Sequence, residues 1–413
     1  MNRLLRDATH ADPHPHSAQQ SRLFATRQRS LARAAPLSAE DMTVQACDDA
    51  SPAKWHLAHV TWFFETFVLL ENLPGYCVYD PAFNYCFNSY YESQGARQPR
   101  SMRGLLTRPS LDSVLAYRAH VDAALAELFA ARRPLPPELA SIIELGINHE
   151  QQHQELLLTD ILALFAASPL RPAYHPSTSQ PLKLAAEPAD WIEFPGGIHK
   201  IGHEGTQFAW DNESPRHDAL IHPFRLADRL VTNSEWLDFI ADGGYRTASL
   251  WLADGYAMVQ REGWPAPLYW EQHGADWQAM SLAGMVGVDR AAPVTHVSYF
   301  EADAFARWTG HRLPTEFEWE TAAAAIPSAR AQLHDMFGAV WQWTQSAYLP
   351  YPHYRPPEGA IGEYNGKFMV SQQVLRGSSF ATPPGHARTT YRNFFYPHHR
   401  WQFTGLRLAS DIR

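Results

Sequence analysis

The feature that most constrains this chain is an apolar-periodic run over residues 139–165, free of proline and punctuated only by Gly146. Apolar positions recurring at helical spacing over such a length predict one amphipathic helix. Its centre reads Asn148, His149, Glu150, Gln151, Gln152, His153, Gln154, Glu155. Residues four apart on a helix lie one turn above each other, so His149 and His153 share a face. Such a pair can supply two ligands to a metal or be two structural histidines, and a third ligand decides between them. Gln152 falls close to the same seam. Glu155 lies roughly 120° round from His149 at about 100° per residue, which suits a role behind a ligand better than ligation.

Composition narrows the class. A chain of 413 residues has room for two or three domains with ample cores. Its 14 Trp, 17 Tyr and 21 Phe can build recognition pockets, although most such rings fill cores. A formal charge of −9 without a basic cluster argues against a nucleic-acid partner. Cys47, Cys77 and Cys86 are the only cysteines and lack C-x-x-C spacing, against both a disulfide framework and a thiolate metal site. Without an apolar leader or a bilayer-length stretch, the expectation is a cytoplasmic enzyme or binding protein without a membrane partner.

Along the chain, residues 1–20 read as a loose polar tail, and its His10, His14 and His16 as poor material for a selective metal site. Helices are expected over about 20–37 and again after Ser38. Ser51 as N-cap with Pro52 in the first turn opens a further helix, whose apolar run continues to Leu70. It carries His56 and His59, either of which can be the third ligand, since spacing alone does not choose. Residues 76–108 read as an irregular, functional segment. There Tyr90 and Tyr91 either donate protons or pack, and Arg100 and Arg103 either clamp a carboxylate or pair with the protein's own acids. Helices resume at 110–132 and 139–165, so residues 21–167 form a bundle whose inward histidines can make a metal site. A linker spans 168–188. Residues 189–413 turn to short strands, turns and brief helices at 233–241, 299–310 and 316–324, an α+β domain.

Four ordered stretches then carry a resemblance: Arg312-Leu313-Pro314-Thr315-Glu316-Phe317-Glu318-Trp319-Glu320, Phe337 to Thr344, Val374 to Phe380, and Gly405-Leu406-Arg407-Leu408-Ala409. They resemble the formylglycine-generating-enzyme-like domain, a C-type-lectin-like fold. Trp55-His56-Leu57-Ala58-His59 and His149-x3-His153-x-Glu155 resemble the DinB-like helical bundle. That pair of domains in that order is similar to the ergothioneine-pathway sulfoxide synthases, or hercynine oxygenases. The resemblance implies non-heme iron, Fe(II), on His59, His149 and His153, demoting His56. It implies O2 as co-substrate, and a sulfur of cysteine or γ-glutamylcysteine joined as a sulfoxide to imidazole C2 of hercynine. Gln152 matches the glutamine that positions hercynine, and Asn393 and Phe394 match the pair near its betaine end. The site is expected between the domains.

Phe394-Phe395 and His399 depart from the branch that uses γ-glutamylcysteine, while Phe87-Asn88-Ser89-Tyr90-Tyr91-Glu92 matches the branch that uses cysteine. By that match Tyr90 or Tyr91 delivers a proton or hydrogen atom, steering the outcome to sulfoxide and away from thiol dioxygenation, while Arg100 and Arg103 hold the donor's carboxylate. Selenoneine synthases, which take selenium from a selenosugar, share the architecture, and Ser378-Ser379 and His398-His399 leave that alternative open. A metal-dependent thiol S-transferase and a non-catalytic binding module are the competing classes. The copper-binding cysteines of true formylglycine-generating enzymes are missing, since no cysteine follows Cys86.

Overall fold

The computed structural model describes residues 15–131, 134–175, 188–325, 333–357 and 365–412. Four long helices make the first part: α1 (Pro15–Ala34), α2 (Ala53–Phe64), α3 (Leu111–Ala131) and α4 (Pro137–Ala167). Helix α4 packs against α1 and α2, and α2 packs against α3. Every residue of α2 is buried, as its nearly continuous apolar sequence requires.

Gly146 lies where α4 crosses α2. A Cβ there would stand 2.6 Å from the Phe64 ring and 2.9 Å from that of Phe63. The glycine therefore sets how closely the two helices approach, and the crossing holds His59 opposite His149. On the far side of the crossing, fully buried Glu150 accepts hydrogen bonds from Arg118, from Arg27 at 3.2 Å and from Ser30 Oγ at 2.6 Å. Burial opposes its ionisation, yet Arg118 and Arg27 hold its carboxyl below the ordinary value.

Several local expectations change. Residues 15–20, assigned to the tail, begin α1, and Gln19 Nε2 anchors that turn by donating to the Ala140 carbonyl at 2.8 Å. No helix follows Ser38; Ser38 and Asp41 cap each other reciprocally around a turn that goes no further. Pro52, not Ser51, is the N-cap of α2, because the Ser51 hydroxyl accepts from Arg103 instead. The run to Leu70 changes pitch at Glu65, where a π-helical turn (Glu65–Leu69) presents the Glu65 carboxylate to the hydroxyls of Tyr76 and Tyr117. Residues 1–14, and 176–187 of the expected linker, lie outside the described residues.

The second part is α+β. Among the described residues, β1 (Trp191–Phe194), β2 (Phe224–Ala227) and β7 (Ala409–Asp411) form one antiparallel sheet in the order β1-β2-β7. A second sheet runs β5-β4-β3-β6, from β3 (Trp341–Ala347), β4 (Gln373–Gly377), β5 (Asn393–Phe395) and β6 (Thr404–Gly405), with β3 and β6 parallel. The four motif stretches are its polar spine. Trp319 Nε1 donates to Gln342 Oε1 at 2.9 Å, and Arg407 Nε donates to the same oxygen at 3.1 Å. Arg376 and Arg392 both donate to buried Glu316. Strand β5 edges the second sheet and carries Asn393, Phe394 and Phe395 to a cavity shared with the bundle.

Gly146→Ala should lower stability despite alanine's better helix propensity, because overpacking against fixed rings costs about 1–3 kcal/mol. A urea midpoint at or above that of the wild type would show that the crossing has slack.

Candidate metal centre and interdomain cavity

The structure brings His59, His149 and His153 together, with one ring nitrogen of each within 4.8 Å of the others. His59 comes from α2 and the other two from successive turns of α4. His59 Nδ1–H donates to the Phe87 carbonyl at 2.6 Å, which leaves Nε2 as the free lone pair, and that atom lies 3.2 Å from His149 Nε2. Two nitrogens bound to one ion at about 2.1 Å sit about this far apart. Trp55 stacks on His59 at 4.5 Å between centroids and 13° between planes, fixing its ring. Burial pushes the His149 imidazolium down to about 3, and burial followed by the neighbouring imidazoles pushes His59 and His153 well below the ordinary value. All three are neutral bases at neutral pH, the form that ligates a metal. The donor set fits an ion.

His56, the other candidate third ligand, is absent from this cluster. Its Nδ1 lies 2.8 Å from His153 Nδ1 and its Nε2 3.0 Å from Asp160 Oδ2. Glu155 also departs from expectation. It stands behind none of the histidines, and instead accepts from Trp341 Nε1 at 2.8 Å, Ser379 Oγ at 2.5 Å and Thr382 Oγ1 at 2.6 Å, all in the second domain. The hydroxyl of Ser379 thus closes the domain junction.

A cavity of about 390 Å³ opens between the domains, and His153, Gln152, Tyr90, Arg100, Arg103, Asn393, Phe394 and Phe395 all reach it. Gln152 Nε2 donates to the Tyr391 hydroxyl at 2.6 Å. Phe394 stacks on Tyr348 at 4.1 Å between centroids, presenting an aromatic wall. Tyr90 lines the cavity, whereas Tyr91 is fully buried behind it, stacked at 4.7 Å and packed on Trp62 and Phe67. The pair is therefore unequal. Arg103 lies 3.5 Å over the Trp55 ring and donates to Ser51 Oγ and Ser89 Oγ, both at 2.9 Å. Its buried Nε has no hydrogen-bond partner among the described residues, and burial pushes the guanidinium down to about 8. A buried cation bonded only to neutral groups suits an anionic ligand. Arg100 is exposed at the rim.

Residues outside the sequence reading also form this wall. Tyr391, His386 and Gln402 line it, and among the described residues the buried Gln402 side chain has no partner for either amide atom. Asp160 carried a readable signal, because it follows His153 by two turns on the same helix face. The others lie in irregular segments with no periodicity.

His386 supplies a pH test. Burial pushes it down to about 3 from an ordinary value near 6.5, so the unfolded chain binds its proton first as pH falls. Its contribution is complete above pH 6.5 and is lost on acidification, by about 2 kcal/mol between pH 6.5 and 5. Replacement His386→Asn should flatten the fall in urea midpoint of the metal-free protein over that window; an identical slope would refute the assignment.

Comparison with known proteins agrees with this architecture. The DinB superfamily profile matches residues 22–157, and the Sulfatase-modifying factor enzyme 1-like domain profile matches 179–331 and 325–412. The hercynine oxygenase of Mycobacterium tuberculosis is 31% identical over 407 residues, covering 88% of this chain and 91% of the relative. That of Mycolicibacterium smegmatis is 30% identical over 412 residues, with the same coverages of 88% and 91%. The formylglycine-generating enzyme of Mycobacterium tuberculosis is 30% identical over 233 residues, covering 51% of this chain and 75% of its own. With relatives at 31% and 30% identity matched over 88% of this chain and 91% of their own length, this protein belongs to the hercynine oxygenase family.

Proposed function

We propose that this chain is a non-heme iron(II) oxygenase that joins a thiol sulfur to imidazole C2 of hercynine as a sulfoxide. The observation that carries this reading is the set of three neutral imidazoles beside an interdomain cavity whose wall also holds Gln152, Tyr90 and Arg103. His59, His149 and His153 would hold the metal, which supplies O2 activation that a redox-inactive ion cannot. Hercynine loses the C2 hydrogen and the thiol its sulfur hydrogen. A C–S bond forms, one oxygen atom of O2 stays on sulfur and the other leaves as water, so the four electrons taken by O2 balance.

Gln152, held by Tyr391, offers its amide to the hercynine imidazole, and the ring of Phe394 faces the quaternary ammonium. Arg103 receives the donor's carboxylate, with Arg100 at the rim. Tyr90, as the tyrosine that reaches the cavity, delivers the proton that favours sulfoxide over dioxygenated thiol. Tyr91 holds the Tyr90 ring from behind. Of the four positions that leave a selenium donor open, Ser379 is engaged in the domain junction, Ser378 Oγ accepts from the Gly338 N–H at 2.8 Å, and His399, unlike His398, lines the cavity.

The protein is reconstituted anaerobically with iron(II), then given air and hercynine with cysteine, γ-glutamylcysteine or a selenosugar in parallel. The expected product is a hercynyl thiol sulfoxide by mass spectrometry; a selenium adduct alone would move the donor to selenium, and no adduct with bound iron would refute the reaction. His153→Ala should lose stoichiometric iron. Tyr90→Phe should lower the sulfoxide rate by about 10²–10⁴-fold and release sulfinic acid, while Tyr91→Phe keeps the product ratio near wild type. The reverse ranking would reassign the proton to Tyr91.

A further inference from the structure

Behind His153 stands a file of side chains that none of the roles above uses. His56 and Asp160 are both buried. His56 Nε2 lies 3.0 Å from Asp160 Oδ2, and His56 Nδ1 lies 2.8 Å from His153 Nδ1. Both nitrogens of His56 are therefore engaged, and neither is left for a metal.

The direction of these bonds follows from the fixed donors around Asp160. Its Oδ2 accepts from the Ser51 backbone N–H at 2.8 Å, and its Oδ1 from Trp401 Nε1–H at 3.2 Å. Both N–H groups donate to Asp160 as to a carboxylate, and a carboxylate has acceptor oxygens only and no proton to give. His56 must then carry its proton on Nε2 and donate it to Asp160. A neutral imidazole protonated on Nε2 has only a lone pair on Nδ1. His153 Nδ1 must be the donor across the 2.8 Å contact, which leaves His153 Nε2 as the lone pair available to the cluster.

We infer that His56 and Asp160 are positioning residues that set the tautomer and ring orientation of His153 for metal binding. This rests on the proposed metal role of His59, His149 and His153. Hydrogen bonding of a ligand's remote nitrogen fixes the ring and raises its basicity. A phenylalanine would fill the same space without the cost of burying an imidazole and a carboxylate, so packing alone does not account for the pair. Trp401 belongs to the second domain, so this orientation of His153 is completed only where the two domains meet.

The full chain is titrated with Co(II), whose visible bands report the ligand field, with the affinity set by a competing chelator. His56→Phe is expected to bind about 10- to 100-fold more weakly and with shifted bands. His56→Gln, whose amide carbonyl can still accept from His153 Nδ1–H, should recover most of the affinity, a rescue that a packing role alone would not produce. Wild-type affinity and bands in His56→Phe would overturn the inference. Should that variant fail to fold, the isosteric Asp160→Asn decides: with one acceptor oxygen in place of two it should weaken Co(II) at least several-fold, and unchanged binding overturns the idea. The readout is independent of turnover. No Co(II) uptake by the wild type would overturn the proposed centre and this inference together, whereas an unaltered His56→Phe would overturn only the inference.

Discussion

The rest of this site depends on how closely α2 and α4 cross. The rings of Phe63 and Phe64 lie against the bare backbone of Gly146, and His59 and His149 are each about a turn from that contact. Had the helices stood further apart, the 3.2 Å approach of His59 Nε2 to His149 Nε2 would be lost, and a single ion could not bridge them. The same crossing buries Glu150, whose charge is offset by Arg27 and Arg118 from α1 and α3. Removing either arginine would leave an under-compensated buried carboxylate next to a candidate ligand, a costly arrangement.

Helix α4 serves three surfaces at once. One face offers His149 and His153 to α2. Another binds α1, where Gln154 Nε2 donates to the Thr26 carbonyl at 2.7 Å and to Ser30 Oγ at 2.9 Å. The third meets the second domain through Gln152 to Tyr391, Glu155 to Trp341, Ser379 and Thr382, and Asp160 to Trp401. Because these are polar groups at least partly removed from water, each needs its partner, and the docked arrangement supplies them. The cavity is thus a property of the junction: His153, Gln152, Tyr90 and Arg103 on its wall belong to the bundle, and Tyr391, Asn393, Phe394 and Gln402 belong to the α+β domain.

Much of the fold was legible beforehand. The uninterrupted apolar period announced α4, and the change of texture after residue 188 announced short strands, because both signals are local. The bundle helices were found with shifted ends, since Ser38 and Asp41 satisfy each other without needing a helix and Arg103 takes the Ser51 hydroxyl that would have capped α2. The difference between Tyr90 and Tyr91 is not legible in the sequence for a similar reason: adjacent residues in an irregular loop have no fixed phase, and tertiary packing buries one and exposes the other to the cavity.

By itself the sequence determined the spacing of His149 and His153, the residues available on α2 and the order of the two domains. Those follow from helical periodicity and from motifs whose members are near neighbours. Only tertiary structure decided that His56 backs His153, that Glu155 closes the junction, and that Arg103 sits against Trp55. Each of these rests on partners far apart in the chain, such as the 97 residues between His56 and His153 or the 241 between Asp160 and Trp401. Side chains of equal chemistry compete for such partners, and the winner is set by distance and burial, which a linear sequence does not contain.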